Sequence, residues 1–406
     1  MKINYRIFAA LIVAGSFSCK AQLSTLDSFT HLGDRFDKQW SAGTFKIEVK
    51  TFAGSNSLNV KMFNDILFRA TFSEDAKSKF VNGTQKRNNT LVQSEIKAEL
   101  KVNGKWGVYA SYGSIDALKM NNDFSKLVFF GNAAYENRHV ATENSKYLSA
   151  TTSTVGATRN LVFSDKWQLK AALGVQIASR YREISATQLG VFTAPRGSYL
   201  DIEADGFSIS ESSSGLQAAG LSGNLYGSYA PDVNSSLSFS IDNLNILRLN
   251  NKTRLDLDSS FRFTGVYLDV LNDSSNFVDR FDSTYNDAVS RSRKEANWLS
   301  LSSTISLSYQ KRLGKKAIGS VSLSTIGIGA FGVSGNVGLH YTFGPNFVLF
   351  SSLGYGNFTG LQWREAAEYR RGRNSFYLSV VGLQSLAVSK LTNSYGASIG
   401  YAFTLY

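Results

Sequence analysis

The sequence predicts an all-β fold, an antiparallel transmembrane β-barrel of about 14 strands with long polar extracellular loops, 12 and 16 strands being the alternatives. Three observations favour this fold over a soluble β-sandwich. Apolar and polar residues alternate in many runs of about 10 to 12 residues, the length of a tilted strand that crosses a bilayer. The polar faces carry Ser, Gly, Thr, Gln and charged residues, which suit a wet interior. Aromatic residues lie beside tight turns, as they do at membrane interfaces.

The clearest hairpin begins with residues 91–102, which alternate strictly between apolar and polar side chains. Asn103-Gly104 follows, and both residues tolerate the positive φ that a two-residue hairpin turn requires. The polar face of the first strand carries four charges of alternating sign, at Glu95, Lys97, Glu99 and Lys101. If the hairpin crosses the membrane, these charges line the interior as an ion-pair ladder. If it stands outside the membrane, they form an ordinary solvated face.

The same alternation recurs along the rest of the chain, at 167–177, 237–241, 299–309, 337–343, 347–355 and 397–405. Opposite the apolar residues of two of these runs lie further polar residues that we expect to face the interior: Gln168, Lys170, Gln176 and His340. A nearby serine would allow His340 to form a lipase-type pair, but a polar interior residue is the favoured interpretation.

The connections between strands fall into two classes. Short ones are predicted at 103–104, 164–166, 231–234, 313–316 and 344–346, and longer polar ones at about 113–146, 181–198, 243–297 and 357–374. Barrels of this kind have short periplasmic turns and long extracellular loops. With that rule the C-terminus would lie outside the cell, so one predicted strand does not span the membrane. Residues 260–268 and 375–388 are the two candidates.

The N-terminus has the pattern of an export signal, a basic start followed by a short apolar stretch and small residues. Cleavage after Ala21 makes residues 1–21 a signal peptide and residues 22–406 a single barrel domain. In the alternative interpretation Cys19 is the lipid-modified cysteine of a lipoprotein. Both interpretations predict export, and with the barrel pattern they predict the outer membrane of a Gram-negative bacterium.

The C-terminus offers a candidate contact with another protein. Ser398, Gly400, Phe403 and Leu405 fit the pattern polar-x-Gly-x-x-aromatic-x-hydrophobic, which resembles the recognition motif of barrel-assembly machinery. A final amphipathic strand can add to an exposed sheet edge of such a machine. Other protein partners are not predicted.

Charge predicts a second class of partner. The formal net charge is +12, and behind an export signal this favours anionic lipid and lipopolysaccharide over nucleic acid. Four arginines concentrate the charge in the predicted loop 357–374: Arg364, Arg370, Arg371 and Arg373. Guanidinium groups bind phosphates well, so this loop is a candidate contact for lipopolysaccharide or an anionic partner, the alternative being a solvated charged loop.

Catalytic and cofactor motifs are missing from the sequence. It has no GxSxG, no HExxH and no paired cysteine motif. Five aspartates between 269 and 287 lack the spacing of a calcium loop. We therefore expect neither enzymatic activity, nor a metal, nor a cofactor.

Several local stretches resemble a family of Bacteroidota outer-membrane proteins filed as a domain of unknown function. They are Gly131-Asn132-Ala133-Ala134-Tyr135, the segment Ser240 to Leu247, and the segment Ser259 to Val266, followed by amphipathic strands to the end. Lys20-Ala21-Gln22 also resembles cleavage sites of that phylum. The resemblance implies a barrel in the outer membrane and implies no catalytic residues.

Two functions agree with these patterns. The first is a porin-like channel, or a barrel that binds and transports small solutes. The second is a structural or secretion-associated barrel that anchors a surface complex. An open interior would favour the first, and an interior filled by protein segments would favour the second.

Overall fold

A computed structural model describes residues 43–57, 78, 87–102, 105–123, 135–164, 166–212, 217–249, 252–263, 292–295, 298–301, 303–326, 332–356, 360–384 and 393–405. Strands dominate these residues. Within them, no helix is long and apolar enough to cross a membrane. The predicted signal peptide, Cys19, the 131–134 part of the family motif and the aspartates between 269 and 287 lie outside the described residues.

Eighteen strands are numbered in chain order. They are β1 (Thr44–Ser55), β2 (Arg87–Val102), β3 (Trp106–Asn121), β4 (His139–Val162), β5 (Trp167–Thr193), β6 (Leu200–Ser212), β7 (Ala218–Asp232), β8 (Ser235–Leu249), β9 (Lys252–Phe263), β10 (Ser292–Glu295), β11 (Trp298–Leu299), β12 (Thr304–Arg312), β13 (Ala317–Ile326), β14 (Val333–Phe343), β15 (Phe347–Gly356), β16 (Gly360–Arg371), β17 (Asn374–Val381) and β18 (Ser394–Thr404).

Fourteen of these strands form a closed antiparallel ring, in the order β1–β5, β7, β8 and β12–β18. The ring closes because β18 pairs with β1 from Thr44 opposite Thr404 to Gly54 opposite Ser394. One further backbone hydrogen bond, 2.7 Å from Leu405 N to Gly43 O, extends this pairing. Closure leaves no free strand edge in the ring, which is what a lipid environment demands. The predicted barrel of about 14 strands is confirmed.

The four remaining strands lie outside the ring. The 27-residue strand β5 pairs with β7 through its first half and with β6 through its second half. Strand β6 then pairs with β9, and β9 with β10, while β11 adds a short contact to β8. Arg262 of β9 donates two hydrogen bonds of 2.6 and 2.8 Å to Asp201 of β6. These hydrogen bonds lower the pKa of Asp201 below its ordinary value.

The strand assignment resolves the position of the C-terminus and corrects the predicted connections. The predicted loop 357–374 is wrong, because residues 360–371 form ring strand β16 and only 372–373 connect it to β17. With this extra strand both ends of the ring lie at the rim of the short turns. Of the two suspected non-spanning segments, 375–381 belongs to ring strand β17, whereas 260–263 lies in β9, outside the ring.

Three other predicted loops were too long. Residues 113–121 continue β3, 139–146 begin β4, 181–193 continue β5, 243–249 end β8 and 252–263 form β9. The added parts of β3, β4 and β5 extend past the apolar belt, where both faces can be polar. Alternation therefore stops although the backbone pairing continues. The short connections predicted at 164–166, 313–316 and 344–346 do join consecutive strands.

The outer face of the ring is an apolar belt. On β14 the exposed outward side chains are Val333, Val337, Leu339, Tyr341 and Phe343. Val333 and Phe343 are ten residue steps apart, and a strand rises about 3.3 Å per residue. If the strand is tilted by about 40°, these steps span about 25 Å along the barrel axis, which is the height of the apolar band of such barrels.

Aromatic rings border this belt at the short-turn rim. Exposed rings at that level include Trp106, Phe163, Trp167, Phe347 and Tyr369. Trp167 packs against Tyr229 with their centroids 4.6 Å apart. This girdle is typical of barrels at a membrane–water interface.

Candidate functional site

The interior of the barrel carries a charge ladder on the inner faces of β1 and β2. The register sets opposite charges against each other at three successive levels: Lys50 opposite Glu95, Glu48 opposite Lys97, and Lys46 opposite Glu99. Directly opposed charges of opposite sign stabilise neighbouring strands. We call these six residues the charge ladder. The sequence indicated only the β2 half, because the pattern Lys-Ile-Glu-Val-Lys at 46–50 is too short to distinguish by alternation alone.

The ladder continues along β1 through ion pairs. Glu48 lies 3.0 Å from the Lys50 ammonium and 3.6 Å from that of Lys46. Glu48 and Lys50 are buried within the barrel. Buried charges are tolerated only where other charges or hydrogen bonds compensate for lost hydration. The lysines on either side of Glu48 provide this compensation.

At its lower end the ladder reaches across the interior to β5. The Lys170 ammonium lies 2.8 Å from Glu99, and the Thr158 hydroxyl donates a hydrogen bond of 3.2 Å to the same carboxylate. Lys97 lies over the ring of Tyr109, 5.3 Å from its centroid. The ladder is therefore tied to β3, β4 and β5 as well as to its own two strands.

Two glycines make room for the Tyr109 ring against the wall. A Cβ at Gly156 would lie 2.7 Å from Tyr109 Cε1, and a Cβ at Gly174 would lie 2.7 Å from its hydroxyl oxygen. No side chain fits at such distances without displacing the ring. The lack of a side chain at Gly156 of β4 and at Gly174 of β5 thus leaves room for the Tyr109 ring against the wall, beside the charge ladder.

A polar cavity of about 70 Å³ lies beside the ladder. Its walls include Lys50 and Glu95 of the ladder, together with Thr154, Gln176 and Asn224 from the strands across the interior. A buried water requires roughly 10 to 15 Å³ and two or more polar partners. The cavity therefore has room for several hydrogen-bonded waters. A second cavity of about 30 Å³ adjoins Lys97 and Lys170.

The opposite wall, formed by β12 to β16, has a different chemistry. A third cavity, of about 20 Å³, is lined mostly by hydroxyl and amide side chains: Ser308, Gln310, Ser320, Ser322, Asn336 and Ser352. The buried side chains of His340 and Arg364 complete it. The His340 ring stacks on Phe350 with their centroids 4.4 Å apart.

All the residues expected on the interior face lie on strands of the closed ring. Glu95, Glu99, Gln176 and His340 are buried, and the other four are half-buried: Lys97, Lys101, Gln168 and Lys170. Because β2 and β3 belong to the ring, the charges of β2 point into the barrel rather than to a solvated hairpin.

The four arginines do not share one loop, which corrects the predicted anionic contact. Arg364 and Arg370 lie on the inner face of β16, where Arg370 donates hydrogen bonds of 2.9 and 3.0 Å to Glu368. Arg371 and Arg373 are exposed at the 372–373 turn. The reason is that a strand joins Trp363 to Arg371, with alternate residues pointing to opposite faces.

A polar cluster on the outer wall was not predicted. Glu365 faces outward from the middle of β16 and accepts hydrogen bonds of 2.5 Å from both the Ser351 hydroxyl and the Trp363 indole. Ser351 is its direct cross-strand neighbour on β15. The carboxylate interrupts the apolar face of β16, which is why alternation did not reveal this strand.

Among the residues that the structure describes, no group of three or more His, Cys, Asp or Glu side chains lies together in a way that could hold a metal ion.

Comparisons with known proteins give similar barrels. Neither protein-family models nor curated proteins match the sequence. Among solved structures, the toluene transporter TbuX of Ralstonia pickettii is 8% identical over 90% of each chain, with a TM-score of 0.45. A Pseudomonas aeruginosa FadL homologue is 8% identical over 90% of each chain, with a TM-score of 0.44. The toluene transporter TodX of Pseudomonas putida is 9% identical over 96% of each chain, with a TM-score of 0.41. At these TM-scores the barrel assignment rests on the strand pairing of this chain itself.

Proposed function

We propose that this chain is an outer-membrane channel that admits small hydrophilic solutes through a narrow, charge-lined interior. The observation that carries the proposal is the contrast between the two faces of one closed ring. The outer face is an apolar belt with an aromatic border. The inner face carries hydroxyl, amide and charged groups around the charge ladder and on β12 to β16, and a buried apolar cluster that includes Phe52, Leu91 and Leu247 lies toward its long-loop end. A polar interior of this kind lines the water-filled channels of porins, whereas in other barrels it is occupied by loops or a helix.

The lining defines the class of solute. Both signs of charge are present along the ladder, so that small polar solutes find donors and acceptors at each level. The cavities beside it are small, which favours solutes of a few heavy atoms over long chains. The similar structures include transporters of toluene, but the polar lining of this barrel favours hydrophilic solutes instead.

The orientation follows from the connections. Every described short turn of the ring lies at one rim, together with the two ends of the ring. We place that rim in the periplasm, and the sheet of β6, β9 and β10 at the cell surface, because short turns are periplasmic in bacterial barrels. The resemblance to the Bacteroidota family agrees with this location and remains part of the proposal.

Ion conductance of the folded protein in planar bilayers tests the function. We expect discrete conductance steps whose ion selectivity depends on the ladder. Lys50→Gln removes a positive charge and shifts the reversal potential toward cation preference, and Glu95→Gln shifts it toward anion preference. Lys105→Gln, at an exposed turn, is the matched control. In about 1 M salt the screening length is about 3 Å, so this rim charge has little effect.

The absence of conductance would contradict the proposed channel. Folded protein that inserts repeatedly without conductance, and vesicles that exclude small sugars and amino acids, would support a structural or secretion-associated barrel. A conductance that neither ladder substitution alters would show that solutes do not pass the ladder.

A further inference from the structure

The exposed charges at the short-turn rim of the barrel are mostly positive. Its exposed side chains include Arg159, Lys311, Lys315, Lys316, Arg371 and Arg373, which we call the basic rim. Among the described residues of the short turns, Asp232 is the single acidic side chain. We propose that the basic rim binds anionic phospholipid headgroups of the leaflet that faces the short turns.

The basic residues lie at the depth of lipid phosphates. On the outer face of β12, the exposed side chains run in the order Ile305, Leu307, Tyr309 and Lys311. This order passes from the apolar belt through the aromatic border to a cation. On β16, Tyr369 is followed by Arg371 on the same outward face. Long basic side chains at the end of an apolar belt reach the interface and meet phosphate there.

One contact fixes a guanidinium against the aromatic border. Arg159 of β4 lies over the ring of Trp106 of β3, with its guanidinium carbon 4.6 Å from the ring centroid. The two residues are direct cross-strand neighbours, and both are exposed on the outer face. A cation held over an interfacial indole retains its in-plane hydrogen-bond donors, which remain available to a phosphate.

The turn between β12 and β13 distinguishes a lipid from a soluble anion. Its sequence surrounds Leu313 with basic residues, and Leu313 is 64% exposed. Val233, in the neighbouring turn between β7 and β8, is 80% exposed. Exposed apolar tips beside lysines match the boundary between acyl chains and headgroups. A free phosphate or a sugar acid would leave both apolar tips in water.

This location replaces lipopolysaccharide as the expected partner of the arginines. Lipopolysaccharide lies in the outer leaflet, whereas the short-turn rim faces the inner one in the proposed orientation. The phospholipid of that leaflet provides a phosphodiester charge at the depth of Lys311 and Arg371.

The test uses full-length folded protein in nanodiscs of phosphatidylcholine and phosphatidylglycerol. The measured quantity is the ratio of the two lipids that remain bound after extraction into mild detergent, determined by mass spectrometry. We expect the wild type to retain phosphatidylglycerol preferentially. Substituting Lys311, Lys315 and Lys316 with Gln should lower its ratio at least about fivefold, the factor that corresponds to about 1 kcal/mol, which is the contribution of a single basic residue near an anionic surface.

The matched control removes three exposed positive charges in the β4 and β5 region beyond the apolar belt, with Arg138→Gln, Lys146→Gln and Arg196→Gln. It should leave the lipid ratio unchanged, and heat-modifiable migration on gels verifies that both variants fold. Equal lipid ratios for the wild type and the Lys triple variant would overturn the proposal. So would displacement of the retained lipid by millimolar inorganic phosphate, since the rim would then be a site for free anions.

Discussion

At the scale of single residues, the interior depends on charges that compensate each other. Glu99 has 8% and Lys170 16% of the side chain exposed, and their 2.8 Å contact crosses the interior from β2 to β5. Removing one partner leaves the other charge buried without its counter-ion, which is more costly than removing both. The pair is therefore a suitable place to measure how far water is excluded from the charge ladder.

We predict that Lys170→Met destabilises the folded barrel by about 3 kcal/mol, because Glu99 would lose the ammonium that compensates for its burial. Adding Glu99→Gln should restore most of that loss. The measurement is urea-induced unfolding in lipid vesicles, followed by tryptophan fluorescence. If the single and double variants lose the same stability, water already solvates the pair, and the ladder is wetter than its burial indicates.

At the scale of elements, sequence patterns revealed those strands whose outer faces are apolar without interruption. Strands β14 and β15 alternate cleanly, and both were predicted together with the turn at 344–346. Strand β16 was missed because Glu365 lies on its outer face while Arg364, Glu368 and Arg370 lie on its inner face. Charges on both faces resemble a loop, and only the cross-strand register with β15 and β17 identifies the strand.

Strands β6 and β10 were missed for a different reason, and only the end of β9 fell within a predicted strand, 260–268. They lie outside the ring, where lipid imposes no alternation, and their stability comes from partners distant in sequence, such as the Arg262 to Asp201 pair. The β2 half of the charge ladder was recognised from its alternation. The β1 half required the register, which places Glu48 opposite Lys97. Local patterns contain no information about pairing across a gap of 31 residues between β1 and β2.

The membrane depth of β16 can be measured directly. In a Cys19→Ser background, a fluorophore on Ala367→Cys should be quenched strongly by brominated acyl chains, because residue 367 faces the lipid near the middle of the strand. A fluorophore on Arg373→Cys, at the exposed turn, should be quenched weakly. Equally weak quenching at both positions would contradict the membrane location of β16 and would support a solvated loop at residues 357–374.

At the scale of the whole molecule, closure of the barrel depends on the pairing of β18 with β1, which we call the seam. Strand β18 is held on both sides, by β17 and by β1, and its pairing with β1 joins the last strand of the ring to the first. Without it the ring would have two open edges, each with several unsatisfied backbone groups in hydrocarbon.

We predict that deleting residues 400–406 abolishes assembly, because it removes the lower half of the seam together with the hydrogen bond from Leu405 to Gly43. Phe403→Ala should reduce the folded fraction more than Thr404→Ala, since Phe403 lies on the face that is directed toward the interface. Heat-modifiable migration of protein from isolated outer membranes measures the folded fraction. A truncated chain that folds normally would show that another strand closes the ring.

The length of β5 has a mechanical consequence. One uninterrupted backbone runs from Trp167, through Lys170 at the ladder, to Thr193 in the sheet beyond the membrane. Its first half is clamped by β7 and its second half by β6. A force on the sheet of β6, β9 and β10 would therefore reach Lys170 through the continuous backbone of β5, against the hydrogen bonds that β6 and β7 make with that strand.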